Sequence, residues 1–137
     1  MKTIIVCDAI HKVGFEILNR EEDIKVIDAV NVPKDKLLDI LGEADVAITR
    51  SSTEVGEAFL NAAKNLKALV RAGVGVDNVD IDGCSKRGII AMNVPTANTI
   101  AAVELTMAHM LAAARSFPYA HNDLKIDRIW KREKWYG

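Results

Sequence analysis

Five short runs rich in β-branched residues punctuate the chain: TIIVC at 3–7, IKVID at 24–28, DVAIT at 45–49, KALVRA at 67–72 and IIAMN at 89–93. Apolar runs of this length, bounded by polar or turn-forming residues, predict strands. Between them the apolar positions change to helical spacing. HKVGFEILNR places Val13, Ile17 and Leu18 on one face, PKDKLLDILGE opens with Pro33 in its first turn, and TEVGEAFLNAAKN gathers Val55, Phe59 and Ala62. These segments predict three helices, and VDIDGCSKRG predicts a shorter fourth that stops at Gly88.

Strand, helix, strand at this rhythm implies parallel pairing through crossover connections, with helices on both faces of the sheet. The predicted fold class is therefore α/β, a doubly wound parallel five-stranded sheet of flavodoxin-like architecture over residues 1–95. The pattern changes after Pro95. TIAAVELTMAHMLAAAR, 99–115, predicts one long helix whose main apolar stripe is Ile100, Val103, Met107, Met110, Leu111 and Ala114. Ala101, Leu105, Ala108 and Ala112 give it a second, small-residue face, so it is expected to be covered on more than one side. Beyond it HNDLKIDRIWKREKWYG is charged yet carries Trp130, Trp135 and Tyr136, and reads as an arm that packs elsewhere. Residues 96–137 thus form a second segment.

Composition narrows the function classes. With 137 residues, half of them apolar, the chain suffices for one globular core. Eighteen basic against nineteen acidic residues leave no net field for a nucleic-acid backbone or an anionic membrane surface. The apolar start MKTIIVCD is too short for a secretion signal, and Glu104 and His109 interrupt the longest apolar run, so a cytoplasmic protein without a membrane span is expected. Cys7 and Cys84 match no metal or redox spacing and read as reduced thiols. No metal site is predicted.

The stretch with the most chemical content is RAGVGVDNVD, 71–80. Gly-x-Gly straight after a strand suggests a nucleotide-binding turn, but a dinucleotide fingerprint needs a third glycine, where this chain has Asn78, and a carboxylate about 20 residues on, where it reads AMNVP. Gly73, Val74, Gly75 and Val76 can instead present consecutive backbone N–H groups at the carboxyl end of a strand, which suits a small anion. The alternative is a tight turn that needs glycines for its dihedral angles. The first strand turn, CDAIHKVG, is neither a Ser/Thr-rich flavin phosphate loop nor glycine-clustered. A phosphoacceptor receiver is also disfavoured, since Asp8 is present but the third strand ends in Thr49-Arg50 and the fifth in Asn93.

RAGVGVDN together with NVPTANTIAAVE, at their observed separation, resembles the N-terminal portion of the D-2-hydroxyacid dehydrogenase family, and the resemblance extends over nearly the whole chain. It implies a lid or substrate domain followed by a helix that crosses to a Rossmann cofactor domain and contributes to a dimer, here through residues 99–137. The chain stops where the family continues into that cofactor domain, so the fragment is expected to lack catalytic residues and turnover and to bind no cofactor alone, the parent enzyme using NAD. The family's arginine, acidic residue and histidine have no counterpart here; His109 reads as a packed or hydrogen-bonded helix residue, His11 and His121 as exposed, and Glu104 as taking a hydrogen-bond or ion partner across an interface.

The resemblance also assigns a substrate site for a small 2-hydroxy or 2-oxo acid. The N–H groups of Gly73 to Val76 face the substrate carboxylate, Val74 lies against the nicotinamide, Arg50 and Ser51 face the cleft, and Asn98 points its amide at the substrate. Arg71 is a second candidate for the charge that holds a distal phosphate or carboxylate. Each has a plainer reading. Ser51 and Glu54 fit a capping box, Arg50 and Arg71 could be solvated surface charges, and Asn98 sits where a helix N-cap belongs. A standalone binding or self-association module is the rival reading of the whole chain.

Overall fold

The computed structural model describes residues 1–135; Tyr136, assigned above to the arm, lies outside the described residues. The strands are β1 (Lys2–Val6), β2 (Ile24–Asp28), β3 (Val46–Thr49), β4 (Ala68–Arg71) and β5 (Ile90–Asn93), joined by α1 (Lys12–Leu18), α2 (Lys34–Ile40), α3 (Glu57–Ala62) and α4 (Ile81–Lys86). All pairings are parallel and the sheet order is β2-β1-β3-β4-β5. The strand order reverses between β1 and β3, the place where open α/β sheets bind ligands. The helix-flanked five-stranded parallel sheet is the α/β class expected from the sequence.

Ile5, Ala47 and Leu69, partners in register across β1, β3 and β4, enter a core with Leu37 of α2, Phe59 and Leu60 of α3 and Cys84 of α4. Burying each large apolar side chain there contributes roughly 1.5–3 kcal/mol before conformational entropy is subtracted. The opposite face is covered less evenly. Ile4 and Val6 are buried, while Ile90 and Met92 on the edge strand remain 64% and 45% exposed. None of α1's residues is buried, and its predicted apolar stripe leaves Val13 and Ile17 exposed. At the amino ends of the strands Asp45 accepts from Lys67 Nζ at 2.8 Å, Thr3 N at 3.0 Å and Lys2 Nζ at 3.2 Å. These donors hold its carboxyl well below the usual range.

Helix starts differ from the sequence pattern at one informative place. The predicted third helix begins only at Glu57 with Gly56 as N-cap, so Ser51 and Glu54 form no capping box. The preceding residues are drawn instead into a parallel bridge between Val55 and Val79, closed by Val55 N to Asn78 O and Asp80 N to Val55 O, both 2.9 Å. A tertiary pairing overrides the local cap signal. Asp80 caps α4 by accepting from Gly83 N at 2.8 Å, and that helix ends before Gly88, whose φ of +68° demands glycine.

The chain divides between Ala97 and Asn98 into two compact units. The second contains α5 (Thr99–Ala114), α6 (Phe117–Lys125) and a 3-10 turn, Arg132–Trp135. Ser116, left-handed at φ 50°, breaks α5 from α6, and Pro118 lies in the first turn of α6. Within this unit the tail, expected to be an arm that packs elsewhere, makes contacts of its own. Trp135 stacks on Tyr119 at 5.6 Å between ring centroids and donates through Nε1 to Asp123 Oδ2 at 2.7 Å. Trp130 is 74% exposed. His109 and Glu104 are exposed in this unit. No described helix is long and apolar enough to cross a membrane.

Thr49, on the central strand β3, is fully buried and its hydroxyl has no hydrogen-bond partner among the described residues. An unpaired buried polar group costs about 1–3 kcal/mol. Thr49→Val should therefore leave stability unchanged or raise it, read as the urea midpoint; a loss above about 1 kcal/mol would reveal a bond made by the hydroxyl.

Candidate functional site

The predicted site residues of the first unit converge on the carboxyl ends of β1, β3 and β4. Asp8, immediately after β1 and Cys7, is 7% exposed and organises the loop that follows β3. Its carboxylate accepts from Arg50 N, from Thr53 N at 3.2 Å and from Thr53 Oγ1 at 2.9 Å. A buried carboxylate is tolerated only with such donors, and these are two backbone amides and a hydroxyl rather than a cation. Above that clamp the Arg50 side chain, itself exposed, donates from Nη1 to Ala9 O at 3.0 Å, so the cation is tethered across the gap between β1 and β3. Ser51 is exposed beside it and caps nothing.

Asn78 performs the corresponding task from the β4 side. It is 7% exposed, and its Nδ2 donates to Arg50 O at 2.6 Å and Thr53 O at 2.7 Å while its Oδ1 accepts from Arg71 Nε at 3.3 Å. Both amide hydrogens and the amide oxygen are thus used. Arg71, paired in register with Thr49, is half-buried, and its guanidinium lies over Gly73. Neither Arg50 nor Arg71 forms a salt bridge with a carboxylate among the described residues.

The loop after β4 is anchored at both ends. Gly73 N turns back to Arg71 O at 2.8 Å, Gly73 O accepts from Val94 N at 3.0 Å, Val74 O accepts from Asn93 Nδ2 at 2.8 Å, and Val76 O accepts from Val79 N at 3.0 Å. The N–H of Gly73 is therefore not part of the predicted row of donors. Those of Val74, Gly75 and Val76 meet no acceptor among the described residues, and all three residues are exposed. Of the two explanations for the glycines, unusual dihedral angles are excluded, since Gly88 alone of the described glycines has a positive φ. A Cβ at Gly73 would displace the Arg71 guanidinium, and one at Gly75 would stand 2.8 Å from Asp77 Oδ1, each the far end of a flexible side chain.

Asn98 stands in the second unit at the head of α5, in the N-cap position but with no side-chain cap bond, so the capping role proposed for it is not formed. The residues missed by sequence pattern are Asp8 as a loop clamp, Asn78 and Asn93. Asp8 and Asn93 were visible only as non-matches to other motifs, and Asn78 only as the residue standing where a third glycine was sought. Hollows lie around Phe117, Leu124 and Trp130, and around Asp45, Lys67 and Arg87. Beside the glycine loop lies a small recess bordered by Arg71, Val76, Met92 and Asn93.

The first unit is thus a doubly wound domain with two arginines and a row of amides without acceptors among the described residues near its switch point, and comparison with known proteins gives its family. The profile of the D-isomer specific 2-hydroxyacid dehydrogenase catalytic domain matches residues 4–131, and the chain belongs to that family. It is similar to D-3-phosphoglycerate dehydrogenase of Methanocaldococcus jannaschii, at 40% identity over all 137 residues and 26% of that protein's length. The enzyme of the same name from Synechocystis is 37% identical over the same span, 24% of its length. Among solved structures, NAD-bound 3-phosphoglycerate dehydrogenase from Entamoeba histolytica superposes with a TM-score of 0.68 and 28% identity, over 81% of this chain and 38% of that one. The chain thus spans about a quarter of the length of the curated relatives it matches.

Cys7 lies directly beneath the site. Both cysteines are free and buried, as the sequence suggested, and burial first, then the neighbouring Asp8 charge, pushes the Cys7 thiol up from 9.0 to about 12. The unfolded chain ionises first as pH rises, so the folded state loses stability between pH 9 and about 12. Urea melts should show a decline of up to about 1 kcal/mol per pH unit in that window. Cys7→Val should flatten the decline; an identical slope in the variant would assign it to other groups.

Proposed function

We propose that residues 1–95 form the substrate domain, and residues 96–137 the crossing helix and dimer arm, of a cytoplasmic NAD-dependent oxidoreductase that acts on D-3-phosphoglycerate in serine biosynthesis. The single observation that carries this reading is the pairing of two carboxylate-free arginines, Arg50 and Arg71, with the open amides of Val74, Gly75 and Val76. The names of the relatives support it.

The substrate has a carboxylate at one end of a three-carbon chain and a phosphate at the other. In this reading the amides of Val74 to Val76 hold the carboxylate, and Arg50 and Arg71, with Ser51 beside them, take the phosphate through charge-assisted hydrogen bonds. Fixing both ends leaves C2 and its hydroxyl exposed between them, which is the positional part of catalysis. NAD supplies the hydride acceptor for C2. This chain offers Val74, 41% exposed, as a surface for the nicotinamide, and its Gly73-x-Gly75 turn does not fit the pyrophosphate, since Gly73 N is already bonded and Asn78 replaces the third glycine. The cofactor's phosphates and the proton on the hydroxyl are accordingly handled by residues outside these 137.

Assembly is the second part of the reading. Ile100, Val103, Leu105, Met107, Met110 and Leu111 of α5 are each more than half exposed, and its apolar residues are spread around the helix. Exposed apolar surface of this kind favours a second copy as cover. The rival function, a self-associating module without enzymatic activity, uses the same face.

Two experiments separate these. The coding sequence read past Gly137 should continue into a strand, a G-x-G-x-x-G turn and a helix, and the complete product should oxidise D-3-phosphoglycerate with NAD. Arg71→Ala there should raise KM for that substrate at least about tenfold more than for D-glycerate, about 1.4 kcal/mol. A stop codon after Gly137 or saturable NADH binding by residues 1–137 alone would overturn the enzyme reading, and equal losses on both substrates would give Arg71 a structural role instead of a phosphate-binding one. Light scattering should find the 137-residue chain dimeric at micromolar concentration and a chain cut after Asn93 monomeric. A monomer in both cases would remove the dimer.

A further inference from the structure

Asn78 touches both halves of the arginine pair without being placed to touch a substrate. It is buried, its Nδ2 bonds the carbonyls of Arg50 and Thr53, and its Oδ1 bonds Arg71 Nε. Resting on the function proposed above, the geometry points to Asn78 as a positioning residue for dianionic substrate: it fixes the Arg71 guanidinium relative to the Arg50 loop, and so sets the selectivity for a phosphorylated over an unphosphorylated 2-hydroxy acid.

Three features support this. An arginine side chain has several rotatable bonds, and one hydrogen bond at Nε leaves both Nη groups free to face an anion while fixing the plane of the guanidinium. Arg71 has that one bond, at 3.3 Å, and no carboxylate partner among the described residues. Asparagine is also the side chain that serves here, because the site needs two donors for carbonyls and one acceptor for a cation in the space of one short amide. Aspartate would keep the acceptor and lose both donors; alanine would lose all three. Finally, Gly73 leaves the room in which the guanidinium lies, so the loop sequence and the Asn78 bond define one arginine conformation between them.

The consequence differs from that of a merely structural asparagine. A structural role affects every substrate alike, whereas positioning through Arg71 affects only the group that Arg71 binds and vanishes when Arg71 is removed. In the complete product, Asn78→Ala should lower the ratio of kcat/KM for D-3-phosphoglycerate over D-glycerate at least about fivefold, and less than about twofold in an Arg71→Ala background. Equal losses on both substrates, or the same loss of selectivity without Arg71, would overturn the assignment.

A readout independent of activity comes from the 137-residue chain. The Arg71 Nε–H resonance should be protected from exchange in the wild type and lose protection in Asn78→Ala. If the alanine variant fails to fold, Asn78→Asp serves: Arg71 Nε–H should stay protected while the amide resonances of Arg50 to Thr53 shift. An unprotected Arg71 in the wild type or in Asn78→Asp, or an undisturbed loop in the latter, would count against the proposal. If the wild-type complete product oxidises neither substrate, the substrate assignment fails and the Arg71 resonance alone decides whether Asn78 positions it.

Discussion

The Asp8 carboxylate is the constraint on which the candidate site depends. It sits buried at the end of β1 and accepts three hydrogen bonds from the two ends of the Arg50–Thr53 segment. Without those donors the carboxylate would be a desolvated charge, and without the carboxylate the loop after β3 would have two unpaired amides. Each makes the other tolerable. Asn78 repeats the arrangement with opposite polarity, offering amide hydrogens to the carbonyls of the same segment. A loop with its N–H groups held from one side and its C=O groups from the other has little freedom, and Arg50 inherits that rigidity at its backbone.

The two ends of the sheet are secured by different chemistry. At the amino ends Asp45 gathers two lysines and a backbone amide at the surface. Ion pairs so exposed are screened by water and salt and contribute little each. At the carboxyl ends Asp8 and Asn78 bond mostly backbone groups of the Arg50–Thr53 segment, and the described cation–carboxylate pairs lie away from Arg50 and Arg71.

Much of this fold was legible in the sequence. Each of the five apolar runs became a strand within one residue or two, because period and β-branching act locally. The site was legible in outline, through Gly73-x-Gly75 and the two arginines at strand ends. Its supports were not. Asp8, Asn78 and Asn93 act across 19 to 45 residues of chain, and a single polar residue at a strand end has no period to betray it. The same distance explains the misread start of α3, where pairing of Val55 with Val79 displaced a plausible cap. In the tail, composition hid a fold: the Trp135 ring packs on Tyr119, a partner 16 positions back that no short window would pair with it.

The bridge between Val55 and Val79 has a consequence for motion. It joins the loop after β3 to the loop after β4 by two backbone hydrogen bonds, with both valines buried in the core. Neither loop can swing outward by itself, since doing so would tear a hydrogen-bonded pair out of an apolar interior. The two therefore belong to one cooperative unit with the sheet, and the bridging amides of Val55 and Asp80 should exchange only through the same opening that exposes Ile5 and Leu69. A unit built in this way responds to force as one stiff body, its loops and sheet yielding together or not at all.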